Sequence, residues 1–226
     1  MKKKILIVAA HPDDEILGCG GTIARSVAEG NEVYTLILGE GITSRDSVRD
    51  TEKRQGELDQ LKEQAKKANK AIGVTKLFME DLPDNRFDSM PVLDVVKIVE
   101  KVVKEVTPDV IYTHHHGDLN IDHCITYRAV ITACRPISNG MVKEIYSFEV
   151  PSSTEWNRPN RFDPNLFVDI SSTLKTKVDA FRCYGGEMSK FPHPRSEEAI
   201  MVIAKRWGSV SALQCAEAFE VVRIIK

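Results

Sequence analysis

The sequence predicts an α/β fold, a single Rossmann-like domain over residues 1–226 with a mostly parallel sheet flanked by helices. Three observations predict it. The apolar run Ile5-Leu6-Ile7-Val8-Ala9, rich in β-branched types and set after a basic start, has the character of a strand buried on both faces. The segment that follows carries Ile16, Gly20, Ile23 and Val27 at helical spacing. Runs of these two kinds then alternate along the chain, as strand–helix units of a parallel sheet do. A chain of 226 residues, 42% of them hydrophobic, has enough apolar surface for one sizeable core.

Between the first strand and its helix stands Ala10-His11-Pro12-Asp13-Asp14-Glu15. In open α/β sheets the turn at a strand's carboxyl end is where ligands bind. Pro12 stiffens that turn and keeps His11 extended. Three successive carboxylates repel one another when half buried, unless a cation or a helix N-terminus offsets them. Capping alone gives no reason for the histidine and proline; a metal ion does. His11 and Asp14 are ligands of the kind that hold catalytic zinc with a water position open, which leaves Asp13 as a general base.

These residues, with Gly18-Cys19-Gly20-Gly21-Thr22 after them, resemble the PIG-L/LmbE family of zinc-dependent de-N-acetylases. The resemblance implies a hydrolase that removes an N-acetyl group from an amino sugar or its conjugate. Later segments fall in the family's order.

Formal net charge is −2, so no basic field invites nucleic acid or an anionic membrane. The apolar run before His11 is too short for a secretory signal or a membrane span, and a cytoplasmic enzyme is the expectation. Five cysteines, scattered and without a Cys-x-x-Cys pair, argue against a disulfide framework or a thiolate zinc site.

Glu32 to Leu38 is the second predicted strand. The glycine-containing loop from Gly39 to Arg45 follows it on the same face as the metal motif, before a charged helix from about Asp50 to Lys70. Arg45, Arg49 and Arg54 are long enough to reach a sugar hydroxyl or phosphate, and the resemblance points to Arg49 as the substrate contact. Lys76 to Met79 is a short third strand, with a turn-rich loop from Asp81 to Asp88 in which the resemblance points to Asp84 for a sugar contact. The valines from Val92 to Val106 recur at helical spacing.

Pro108 to Thr113 reads as the fourth strand and ends in His114-His115-His116-Gly117-Asp118-Leu119-Asn120-Ile121-Asp122-His123. Five of the six histidines thus sit at the ends of two predicted strands, which spreading for packing does not explain. Asn120 is a natural N-cap, and His123 then lies in the first helical turn as the third metal ligand. Two nitrogens and one oxygen make a hydrolytic zinc site, for which iron(II) is an alternative ion. The resemblance carries the ligand roles onto His11, Asp14 and His123. Many members have an oxyanion-stabilising histidine where this chain has Asn120. An amide can donate that hydrogen bond, and His114, His115 and His116 are the alternatives. Asp122 matches the family's acidic residue that orients a neighbouring histidine.

Val142 to Val150 and Leu166 to Ile170 read as strands. Between them a polar loop with Trp156 is long enough to close over a ligand, the indole stacking on a sugar. Ser172 is expected to cap a helix reaching Tyr184, and a final helix from Glu197 to about Arg206 precedes the last strand, Ala216 to Arg223. His193, in Phe191-Pro192-His193-Pro194-Arg195, is a candidate substrate contact.

The expected activity is therefore metal-dependent N-deacetylation, with water as nucleophile and Asp13 as base. The expected partner is a small N-acetylated sugar, and a homo-oligomer is left open. Two other classes stand beside it. A nucleotide-binding Rossmann protein is disfavoured because Gly18, Gly20 and Gly21 come after the acidic turn and lack the fingerprint spacing. A sugar-binding or regulatory protein without turnover on the same scaffold is separated by activity with and without chelator.

Overall fold

The computed structural model describes residues 2–137 and 142–226. Among them seven strands form one sheet: β1 (Lys4–Ala9), β2 (Glu32–Gly39), β3 (Lys76–Leu82), β4 (Val110–His114), β5 (Glu144–Phe148), β6 (Leu166–Asp169) and β7 (Ala216–Ile224). Their spatial order is β3-β2-β1-β4-β5-β7-β6. Strands β1 to β5 pair in parallel, and only β7 is antiparallel to its neighbours β5 and β6. The sheet is mostly parallel, as the alternating pattern predicts.

Among the described residues six α-helices cover it: α1 (Asp14–Ala28), α2 (Gln55–Ala71), α3 (Val92–Val106), α4 (Ile121–Ala133), α5 (Leu174–Phe181) and α6 (Glu197–Ser211). Because side chains alternate across a strand, β1 feeds two cores. Ile5 and Ile7 pack with α1, α2 and α5 on one face, while Leu6 and Val8 pack with α3 and α4 on the other. Burial on both sides is why β1 is an unbroken apolar run.

Three of the helices depart at their ends from the sequence expectation. The charged helix starts at Gln55, after turns at Thr51–Arg54. Helix α5 starts after Thr173, whose hydroxyl donates to the Gly21 carbonyl, and stops at Phe181, so that Tyr184 reaches beneath α1 to Glu15. Helix α6 runs past Arg206 to Ser211, because Trp207 and Gly208 are still buried against the sheet. All five cysteines are free thiols.

Candidate metal centre and its cleft

From β1 the chain passes through α1 to β2 on one side, whereas α3 leads back to β4 on the other. The loops after β1 and β4 therefore part and leave a crevice at this topological switch point. The two histidine-bearing segments meet there.

His11, Asp14 and His123 are buried, and one ligand atom of each lies within 4.8 Å of the others. Asp14 Oδ2 is the centre of the group, 3.2 Å from His123 Nε2 and 3.5 Å from His11 Nδ1. Ligands about 2.0–2.1 Å from a tetrahedral ion stand roughly 3.3 Å apart, so these spacings suit a shared cation. Asp14 Oδ1 is buried and has no hydrogen-bond partner among the described residues, a deficit that a cation removes. The far nitrogen of each imidazole faces a second carboxylate. His11 Nε2 is 2.9 Å from Asp122 Oδ2, and His123 Nδ1 is 3.2 Å from Asp118 Oδ1. Carboxylates behind imidazoles are the usual support of histidine metal ligands. The residues present thus fit a divalent ion of the zinc type.

The buried imidazoles and carboxylates favour one another's charged forms. Burial pulls the His123 imidazole down, but Asp14 and Asp118 outweigh it and lift it to about 9. Burial pushes Asp118 up, but His123 and the hydroxyls of Ser153 and Thr154 hold it at about 2. Asp122 is fixed from its other oxygen by the Phe87 N–H.

Asp13 has φ of 104°, in the region where a side chain is strained. Its carboxylate makes no capping bond to α1; Oδ2 instead accepts from Arg195 Nη1 at 2.8 Å. This excludes capping as the reason for the acidic run at that position. Burial pushes the Asp13 carboxyl up against the pull of Arg195.

Asn120 caps α4 with Oδ1 and donates Nδ2 to Asn85 Oδ1 at 2.9 Å. Its second amide hydrogen remains for the cleft, which it lines. Of its alternatives, His114 Nε2 accepts the Ala10 N–H and its ring stacks on His123, so it positions rather than donates. His115 Nδ1 is 2.7 Å from Glu220, away from the centre, and His116 stands edge-on beside it.

The cleft above His11, about 150 Å³, is lined by Asp13, Ser44, Arg45, Asp84, Asn120 and Arg195 among others. Asp84 is there, held by the Ser44 N–H. Arg49, expected at the substrate, is not: both arms of its guanidinium are taken by Glu40, which it leaves the cleft to reach. Arg45 lines the cleft in its place. His193 is exposed, accepts the Arg195 N–H in its own turn and lines only the adjoining outer groove. Sequence reasoning missed Arg195 and the role of Asp118. The prolines around His193 mark a stiff loop, but local pattern does not tell which side chain turns inward.

The model of the PIG-L family, described as GlcNAc-PI de-N-acetylase, matches residues 6–134. An uncharacterized deacetylase of Escherichia coli, YaiS, is 29% identical over 77% of this chain and 86% of its own. A diacetylchitobiose deacetylase of Thermococcus kodakarensis is 26% identical over 97% of this chain and 83% of its own. Among solved structures, GalB of Pseudomonas putida, a 4-carboxy-2-hydroxymuconate hydratase, superposes with a TM-score of 0.77 at 22% identity, covering 100% of this chain and 99% of that one. That last likeness is one of fold alone.

Proposed function

The chain belongs to the PIG-L family, and from that membership we propose that it is a metal-dependent hydrolase that removes an N-acetyl group from an amino sugar or amino-sugar conjugate. The observation that carries the reading is the meeting of His11, Asp14 and His123 beside Asp13 at the switch point. His11, Asp14 and His123 would hold the ion, which we take to be zinc. Such an ion, when bound, makes water acidic and polarises a carbonyl.

The chain's own residues do the rest. Asp122 and Asp118 keep the two imidazoles oriented, with the ring nitrogen that faces Asp14 unprotonated. Arg195 grips Asp13 by Oδ2 and leaves Oδ1 to take a proton from the attacking water. The same carboxyl returns the proton to the departing amine, which leaves poorly unless protonated. Asn120 donates its second amide hydrogen to the oxyanion. Water and the N-acetyl sugar give acetate and the free amine. Asp84 and Arg45 stand where sugar hydroxyls pass.

The test is acetate release from a panel of N-acetylated amino sugars by protein loaded with zinc, with and without chelator. Release that chelator abolishes and zinc restores is expected. No release from any member by loaded protein, with sugar binding kept, would leave a binding protein without turnover on this scaffold.

A further inference from the structure

Beyond the cleft lies a second and larger concavity, of about 490 Å³. The cleft over His11 shares Arg45, Glu187 and Arg195 with an outer groove, and that groove shares Trp156 with the larger concavity. The three spaces thus follow one another across the surface with common walls. Ligand pockets for small molecules run from about 300 to 1,000 Å³, so the cleft alone is small for a sugar conjugate and the larger space is not.

The walls of the larger space have a definite chemistry. Arg158, Arg161 and Arg206 line it, with Trp156, Phe162 and Trp207. Among the described residues, none of the three guanidiniums makes an ion pair or a side-chain hydrogen bond with the protein. Arg206 lies over the Trp207 ring, 4.3 Å from its centroid. Two carboxylates are also present, and both are engaged. Glu149 accepts the Trp207 indole N–H at 2.5 Å, and Glu155 accepts the backbone N–H groups of Ser152 and Ser153. All three arginines are exposed; Arg206 rests on Trp207, Arg158 and Arg161 have no side-chain partner among the described residues, and with the half-exposed Trp156 indole at the same wall they suit an anion carried on a flat ring.

We infer that this concavity is a subsite for an anionic group, carboxylate or phosphate, on the part of the substrate remote from its acetamido end. Trp156, at the shared wall, stacks on the ring between the two sites, and Arg158, Arg161 and Arg206 hold the anion. The inference rests on the deacetylase reading for what sits at the other end.

Binding is measured first, by tryptophan fluorescence with chelator present so that nothing turns over. The probes are neutral chitotetraose, a tetrasaccharide of the same length with alternate glucuronates, and UDP-N-acetylglucosamine. At least one anionic probe is expected to bind about tenfold more tightly than the neutral one, with a preference that shrinks as salt rises; which one does so distinguishes carboxylate from phosphate. In the Arg158→Ala/Arg161→Ala variant the preference is lost, and in zinc-loaded protein the ratio of kcat/KM for anionic over neutral substrate falls by about the same factor. Equal binding of all probes by the wild type, or a preference that survives the double replacement, overturns the subsite. Wild-type salt dependence decides the matter even if the variant does not fold. Preference without acetate release sinks the deacetylase reading and leaves this one standing; release without preference does the reverse.

Discussion

At the scale of single residues, the site divides into groups that would hold an ion and groups that would move a proton, and substitution separates them. Asp13→Asn keeps the bulk at a strained backbone position but removes the base, so turnover is expected to fall about 10²-fold or more while bound metal, measured by elemental analysis, stays unchanged. Asp118→Asn leaves every ligand in place and removes the carboxylate behind His123. Metal affinity, read by competition with a chromogenic chelator, is expected to drop about 10- to 100-fold. Equal affinity in that variant would mean that the charge of Asp118 behind His123 does not support it as a ligand. The residues of the centre were legible in the sequence because His11 and Asp14 follow directly on a strand end and His123 lies in the first turn of a helix whose N-cap, Asn120, local pattern reveals. Arg195 was not, since it reaches Asp13 from a loop whose path depends on how α5 and α6 pack. Arg49 shows the opposite limit: a cation near a cleft in sequence was claimed by a buried carboxylate, Glu40, that pattern alone does not reveal.

At the scale of elements, what looked like a nucleotide fingerprint is a packing device. A Cβ on Gly18 would stand 2.3 Å from Phe148 on β5, and one on Gly21 would stand 2.7 Å from Ile170. The glycines let α1 lie close to the sheet, and Phe148 in turn contacts the His114 ring. Gly18→Ala is expected to cost about 1–3 kcal/mol by overpacking, seen as a lower midpoint in urea unfolding. Strand β7 does comparable work from the other edge. Glu220 accepts from Ser147 and from the Asp163 N–H and is paired with His115, tying β5 and two loops together. Burial pushes its carboxyl up, but these partners hold it below the ordinary carboxylate range. A folded value below the unfolded one means that the stability is present above the unfolded value and fades as pH falls through the folded one. Glu220→Gln should therefore flatten the loss of stability on acidification below about pH 4.5, measured by thermal melts across that range. Strands and helices with one clear period were readable; the start of α5 was not, because Thr173 is chosen by the Gly21 carbonyl across the fold, not by its neighbours.

At the scale of the whole molecule, the strand order decides where chemistry can happen but not which chemistry. The same fold carries a hydratase, at a TM-score of 0.77, so function has to be read from the site. What the order β2-β1-β4 does is bring the ends of two distant segments to one crevice, and an ion bound there would cross-link them. Anything that binds only the folded state stabilises it by mass action, about 4 kcal/mol at a thousandfold excess over Kd. For a chain of this size that is on the order of 10 °C in melting temperature. Adding zinc to chelated protein should raise the melting point by that amount in the wild type and in Asp13→Asn, because neither lacks a ligand. In His123→Ala the shift should vanish, since the link between the α4 segment and the β1–α1 turn is then cut. A zinc-induced shift of full size in His123→Ala would mean that the ion binds within one segment, and that the switch point does not join the two.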